Sequence, residues 1–275
     1  MNRNDQELGL APTSRRDFLL RNVVGMGAVA GSALLARTRP AEAQASPTGC
    51  EHSDGRAAGC CFLKGTKIRT AGGERAVEDL AIGDLLPTEF GGMRPIQWVG
   101  RYHYKKSDPS KPWVKDAQPV RIGRSALADN VPQADLFVTQ SHALFVDGVL
   151  VTAGSLINGT TITLYVAEEF DELEFFHIKL ETHDIVYAEG ASCETLLTVD
   201  EKANNFADYL RKYGPANSGD QPCVPILGFG GGRSEIKSRF RSAISPWFDR
   251  REKIDVIRDR LEERGIALSR TRQPV

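Results

Sequence analysis

From residue 61 to about residue 199 the apolar positions come in short β-branched and aromatic runs, each closed by Gly, Pro, Asn or Asp. Runs of this length, bounded by turn residues, predict strands of a half-buried sheet rather than helices. Thr66–Thr70, Ile96–Tyr104, Pro119–Ile122 and Leu136–Thr139 each read as a strand. Ala143-Leu144-Phe145-Val146, then Asp147-Gly148, then Val149-Leu150-Val151-Thr152 predicts a tight hairpin, because Asp-Gly tolerates the positive φ of such a turn. Asn158-Gly159 marks a second turn ahead of Thr160–Val166, and Asn158-Gly159-Thr160 is read as that turn and not as a glycosylation site. Phe175–Leu180 and Asp184–Ala188 add two more strands. Many short strands with regular turns imply a sandwich, a barrel or a folded β-disk rather than βαβ units.

Past residue 200 the spacing becomes helical. Glu201–Tyr213 places Phe206, Tyr209, Leu210 and Tyr213 at helical intervals, and Gly214-Pro215 ends the run. Ala216 to Gly232, rich in Gly, Pro and Asn, reads as a hinge or loop. Its Gly228-Phe229-Gly230-Gly231-Gly232 lacks the Lys-Ser/Thr that a phosphate-cradling loop requires. Two amphipathic helices, Ser234–Ile244 and Pro246–Arg264, are expected to close the chain. The second is expected to start with Ser245 as N-cap and Pro246 as first residue, and to stop at Gly265. The expected fold is mainly β, many short antiparallel strands followed by a C-terminal α-helical tail.

The N-terminus changes the picture of organisation. Ser14-Arg15-Arg16-Asp17-Phe18-Leu19 matches a twin-arginine export signal, and the apolar stretch Val23–Ala36 is too short for a membrane span but right for a signal core. Ala41-Glu42-Ala43 and Ala43-Gln44-Ala45 supply small residues for cleavage. The expectation is a removed signal peptide over 1–45, a short segment over 46–60, a β domain over 61–199 and a helical extension over 200–275. The mature protein would be periplasmic or secreted, meeting the membrane only transiently during export.

With 41% hydrophobic residues in 275, the chain can bury a core. Its 35 basic and 36 acidic residues produce no global field that would favour nucleic acid. Five cysteines are an odd number, which in an oxidising compartment permits two disulfides and a spare thiol. Cys193 with Cys223 is the expected structural pair, although connectivity cannot be read from sequence. Cys50, His52, Cys60 and Cys61 are a poor zinc set, since adjacent cysteines chelate awkwardly and the spacing fits no common finger. No metal and no cofactor are expected.

The chemistry-bearing residues fall in ordered segments. Cys60-Cys61-Phe62-Leu63-Lys64-Gly65-Thr66 opens the β block, followed by Val77-Glu78-Asp79-Leu80 and Gly83-Asp84. Thr139-Gln140-Ser141-His142 lies mid-chain, and Phe175-Phe176-His177-Ile178, His183-Asp184 and Ala188-Glu189-Gly190 come last. Over about Cys60 to Leu197 these segments resemble the Hint (hedgehog/intein) family, in particular its bacterial hedgehog-type members. The resemblance implies a Hint-type folded β-disk or horseshoe. It also implies that the Cys61 thiolate attacks the Cys60 carbonyl, making a thioester by N–S acyl shift and cleaving the Cys60–Cys61 bond.

By the same resemblance His142 bonds to or protonates the Cys61 nitrogen, and Thr139 holds the carbonyl geometry. His177 stands where relatives carry a polar or acidic residue. A neutral imidazole with an ordinary pKa of ~6.5 suits a base near neutrality. His183 either assists the second step or holds its strand, and Asp79 and Asp84 are read as structural. Partners would be the chain's own N-terminal segment and a small nucleophile acceptor. Full splicing is not expected, because Gly190-Ala191-Ser192-Cys193-Glu194 stands where inteins end in His-Asn. The alternative reading is a non-cleaving Hint scaffold serving as an exported interaction module, with no catalytic activity.

Overall fold

Asp147 (φ 52°) and Gly148 (φ 78°) both take the left-handed backbone, so Ala143–Val146 and Val149–Thr152 pair from Val146 with Val149 out to Ala143 with Thr152. This computed structural model describes residues 60–106, 108–197, 207–214, 221–229 and 232–271. The expected signal peptide, its cleavage points, Cys50 and His52 lie outside them.

In chain order the strands begin with β1 (Phe62–Leu63), β2 (Lys67–Thr70), β3 (Gly73–Ala76), β4 (Leu85–Thr88), β5 (Gly92–Pro95) and β6 (Trp98–Lys105). Next come β7 (Val120–Ile122), β8 (Leu136–Val138), β9 (Ala143–Val146), β10 (Val149–Thr152) and β11 (Ile162–Leu164). β12 (Glu172–Lys179), β13 (Ile185–Ala188), β14 (Ala191–Glu194) and β15 (Ile226–Leu227) complete the set among the described residues. They form a six-stranded sheet ordered β11-β7-β8-β1-β12-β6, a seven-stranded sheet ordered β15-β10-β9-β14-β13-β2-β3, and the hairpin β4-β5. Every pairing is antiparallel except β10 with β15. One core joins both large sheets, with Phe62, Val138 and Phe176 from the first meeting Ile68, Leu144 and Val186 from the second. The fold is thus mainly β, as expected, with helices α1 (Ala207–Tyr213), α2 (Gly232–Ile244) and α3 (Lys253–Thr271) in the tail.

The expected strands match β2, β6 to β13 within a few residues. β3, β4 and β5 were not expected, and most of β3 and β5 is solvent-exposed, so neither carries an apolar signal. Asn158 bends the chain before β11 by accepting the N–H groups of Thr160, Thr161 and Ile162 on its side-chain oxygen at 3.0–3.1 Å. Asp84 likewise serves a turn, accepting the Ala81 N–H at 2.8 Å and Arg75 at 2.6 Å.

Three tail expectations need correction. The last helix does not run over Pro246–Arg264 from a Ser245 cap. Ser245 instead donates its hydroxyl to Ser242 O at 2.9 Å, closing α2, and the helix begins at Lys253 because Asp255 reaches back to the Glu252 N–H at 2.9 Å. Gly265 does not end α3. A Cβ there would stand 2.3 Å from Thr160 Oγ1, so glycine serves close packing on the Asn158 turn, where Asn158 Nδ2 also donates to Leu261 O at 3.2 Å. Finally, the expected hinge contains β15, which pairs with the outer side of β10 and so covers hydrogen-bonding groups that an edge strand leaves open. Cys193 and Cys223 are free thiols rather than a disulfide. Burial pushes the Cys193 thiol well up and brings that of the half-buried Cys223 to about 11.

Candidate active site

Strand register assembles the site. In the six-stranded sheet β1 lies between β8 and β12, with Phe62 opposite Val138 on one side and Phe176 on the other. One residue further along each antiparallel ladder, Cys61 falls between Thr139 and His177. Side chains opposed across a ladder share a face, so Sγ is delivered to both neighbours. Cys61 N donates to Thr139 Oγ1 at 3.1 Å, and Thr139 N donates to Cys61 O at 3.1 Å. The thiol is only 1% exposed, among Tyr104, Trp113 and Phe175.

His177 touches the Cys61 thiol and the Cys60 carbonyl at once. Its Nδ1 stands 3.2 Å from the Cys60 carbonyl oxygen, and the Cys61 Sγ lies 3.3 Å from Nε2 and 3.5 Å from Nδ1. A carbonyl only accepts, so Nδ1 carries the hydrogen, which leaves Nε2 of the neutral ring to accept the thiol proton. Burial lowers the His177 pKa to about 4, against an opposing effect of the Cys60 carbonyl, so the ring is neutral at pH 7. Trp98 stacks on it with centroids 6.3 Å apart, and Tyr209 of α1 packs edge-on against Trp98 at 5.4 Å. The tail therefore supports the ring from behind.

His142 follows the turn after β8, its N–H donating to Thr139 O at 3.1 Å. Its ring lies against Phe62 with centroids 4.4 Å apart, beside the Cys61 backbone. It is fully buried, and neither ring nitrogen has a hydrogen-bond partner among the described residues. The Cys61 backbone still acts on it electrostatically, but no contact reaches hydrogen-bond geometry. Burial lowers its pKa to about 4, with the Glu194 charge opposing. A buried imidazole with both nitrogens unsatisfied is unfavourable for folding, and such groups concentrate where chemistry needs an open donor or acceptor.

His183 does not join this cluster. Its Nδ1 accepts the Cys223 N–H at 3.0 Å, and its Nε2 lies 3.6 Å from Glu194 Oε2. The expected catalytic role is thus unsupported by contact with Cys61, and the strand-holding reading fits. Glu194, at the end of β14, is the residue that sequence reasoning passed over. It is 2% exposed and accepts the Ala143 N–H at 2.7 Å. Burial pushes its carboxyl up, yet His183, His142 and the Cys60 side chain together outweigh that and hold it below the usual range. An acidic residue inside the run Cys193–Leu197 was the available signal, as buried carboxylates are rare without partners. Trp98 carried no such signal, being one of several aromatics on a strand. No group of three metal-ligating side chains occurs among the described residues.

The neutral histidines set an acid limit on stability. Above pH 6.5 neither imidazole is charged in the folded or the unfolded chain. Between 6.5 and about 4 the unfolded chain takes up protons that the buried rings refuse, and the loss is complete below about 4. The expected destabilisation is on the order of 3 kcal/mol per ring, read as urea midpoints across that window. His177→Gln should flatten the decline, and an equally steep decline without His177 would contradict its assignment as a buried neutral base.

Comparison with known proteins bears on this geometry. The Hint domain profile matches residues 60–200, just over half of the chain. Among solved structures the gp41-1 intein is 15% identical, covering 49% of this chain and 98% of that one, with a TM-score of 0.35. The bacterial intein-like domain from Clostridium thermocellum is 15% identical, covering 49% and 97%, with a TM-score of 0.36. A DnaB intein from Synechocystis sp. PCC 6803 is 10% identical, covering 50% and 98%, with a TM-score of 0.34. No curated protein matches the chain in sequence. A profile match that begins at Cys60, over a mainly β fold whose register converges on Cys61, establishes that this chain belongs to the Hint domain family.

Proposed function

We propose that the chain cleaves its own backbone between Cys60 and Cys61 through a thioester on Cys61. Membership of the Hint family implies a capacity for self-processing in general. The observation that carries the specific reading is His177, which reaches the thiol and the scissile carbonyl oxygen at 3.3 Å and 3.2 Å.

The thiol proton passes to His177 Nε2 as Sγ bonds to the Cys60 carbonyl carbon. The resulting oxyanion faces the Nδ1–H of the same ring, so the imidazolium just formed is paired with the charge it helped create. That pairing offsets the low basicity of the buried ring. The Cys61 nitrogen, held by Thr139 Oγ1, becomes pyramidal as the C–N bond weakens. In this reading neutral His142, whose ring lies beside the Cys61 backbone, stabilises the departing nitrogen, and the proton that the amine finally keeps is the one taken from the thiol. The products are a Cys60 thioester on Sγ and a free amino group on Cys61. An acceptor carrying a nucleophilic X–H then takes the acyl group and regenerates the thiol. The twin-arginine pattern at Ser14–Leu19 supports export, and a hedgehog-type transfer to a small periplasmic or extracellular nucleophile fits Gly190-Ala191-Ser192-Cys193-Glu194 standing where inteins carry His-Asn.

Hydroxylamine or dithiothreitol, added to the purified chain, should yield a fragment of residues 61–275 and a peptide ending in a Cys60 hydroxamate or thioester. Intact mass spectrometry reads both products. A single unchanged mass under both nucleophiles defeats the proposal and favours the non-cleaving scaffold.

A further inference from the structure

The tail helix α2 is built inside out. Its residues at spacing i, i+3, i+4, i+7 are Arg233, Ile236, Lys237 and Phe240, and all four are exposed. Ile236 and Phe240 are 68% and 64% exposed, although these are the apolar residues that an amphipathic helix ordinarily buries. The face turned to α3 is polar instead. Ser238 is fully buried and accepts from Arg258 Nη1 at 3.0 Å, while Arg241 grips the buried Asp255 at 2.5 and 3.1 Å. Trp247 and Phe248, in the turn after α2, extend the apolar surface at 70% and 55% exposure.

Charge points to one occupant. Between Gly232 and Lys253 seven basic residues accompany three acidic ones. Each acid is already engaged, Glu235 by Arg239 and Arg258, Asp249 by Arg251, and Glu252 by Arg241. Arg233, Lys237, Arg250 and Lys253 have no acidic partner among the described residues. A second copy would bring two like-charged faces together, which repels. An anionic lipid surface satisfies both features, because interfacial helices seat Trp and Phe at the acyl boundary and Lys and Arg among the headgroups. No helix among the described residues is long and apolar enough to cross a membrane, so contact would be in the interface plane.

We propose that α2 and the following turn form a docking surface for an anionic bilayer. Binding there would hold the self-processing domain at a membrane without using residues 60–200. It is independent of whether Cys61 reacts.

Tryptophan emission of the full chain, titrated with vesicles, tests this directly. Trp98 and Trp113 are buried at 7% and 6% exposure, so a vesicle-induced blue shift reports Trp247. Phosphatidylglycerol-containing vesicles should produce the shift, and about 1 M sodium chloride should reverse it, since the screening length is then ~3 Å. R233Q/K237Q/R250Q should weaken partitioning by roughly 100-fold. Phe240→Ser, an exposed change that leaves the core untouched, should weaken it as well. The N-terminal apolar stretch is common to parent and variants, so their difference isolates this surface. No shift, an equal shift on pure phosphatidylcholine, or variants that match the parent would overturn the proposal. So would a blue-shifted, concentration-dependent Trp247 signal without lipid, which would identify a second copy as the occupant.

Discussion

Cys61→Ala should remain one intact mass in hydroxylamine and in dithiothreitol under every condition that splits the parent chain. Neither Cys193 nor Cys223 can substitute. Cys193 is buried on β14 with its thiol pushed well up, and Cys223 lies near His183 with a pKa of about 11. The substitution removes one sulfur from a packed pocket containing Leu173 and Phe175, an expected loss of about 1 kcal/mol. The variant therefore folds, and loss of cleavage can be separated from loss of structure by comparing melting temperatures. A fragment beginning at residue 61 in the alanine variant would mean that the bond breaks without this sulfur, and the thioester would have to be abandoned.

His177→Ala should slow hydroxylamine cleavage by about 10³-fold or more, because one ring supplies both the base and the donor to the oxyanion. His177→Gln separates the two roles. Its amide can still donate to the Cys60 oxygen but cannot take the thiol proton, so its rate should lie between those of parent and alanine. The pH dependence supplies a second readout. In the parent the rate should hold through the neutral range and fall only as pH approaches about 4, where His177 becomes protonated. Rates for both variants within a few-fold of the parent would reassign the base. Because α1 reaches this ring through Tyr209 and Trp98, His177 also links the tail to the chemistry.

The candidate site is partly legible in the sequence by itself. Cys61, Thr139, His142 and His177 stand out as sequence segments, and the structure brings Cys61 and Thr139 into mutual hydrogen bonds with His142 alongside and His177 against the sulfur. His183 was legible only as a histidine near the right segment, and its contacts turn toward Cys223 and Glu194 instead. Glu194 is not legible in the sequence because burial, not residue type, sets a carboxylate apart, and burial is a property of the assembled sheets. The tail was read less well. Pro246 after Ser245 is a sound helix-start signal, yet the Arg241–Asp255 pair and the Asp255 cap place the start at Lys253, through contacts that cross from one helix to the next.

Sequence alone determined the mainly β character, the Asp147-Gly148 hairpin, the helical tail and the position of the candidate cysteine segment. Each of these rests on local forces: side-chain alternation, turn residues that accept positive φ, and an ordered motif. Tertiary structure decided how closely the His177 ring approaches the sulfur, where the His142 ring lies, and which face of α2 points to solvent. Those outcomes depend on the register of β1 between β8 and β12 and on ion pairs between helices. Register and inter-helix pairing are set by packing among segments far apart in the chain, so no local pattern could reveal them.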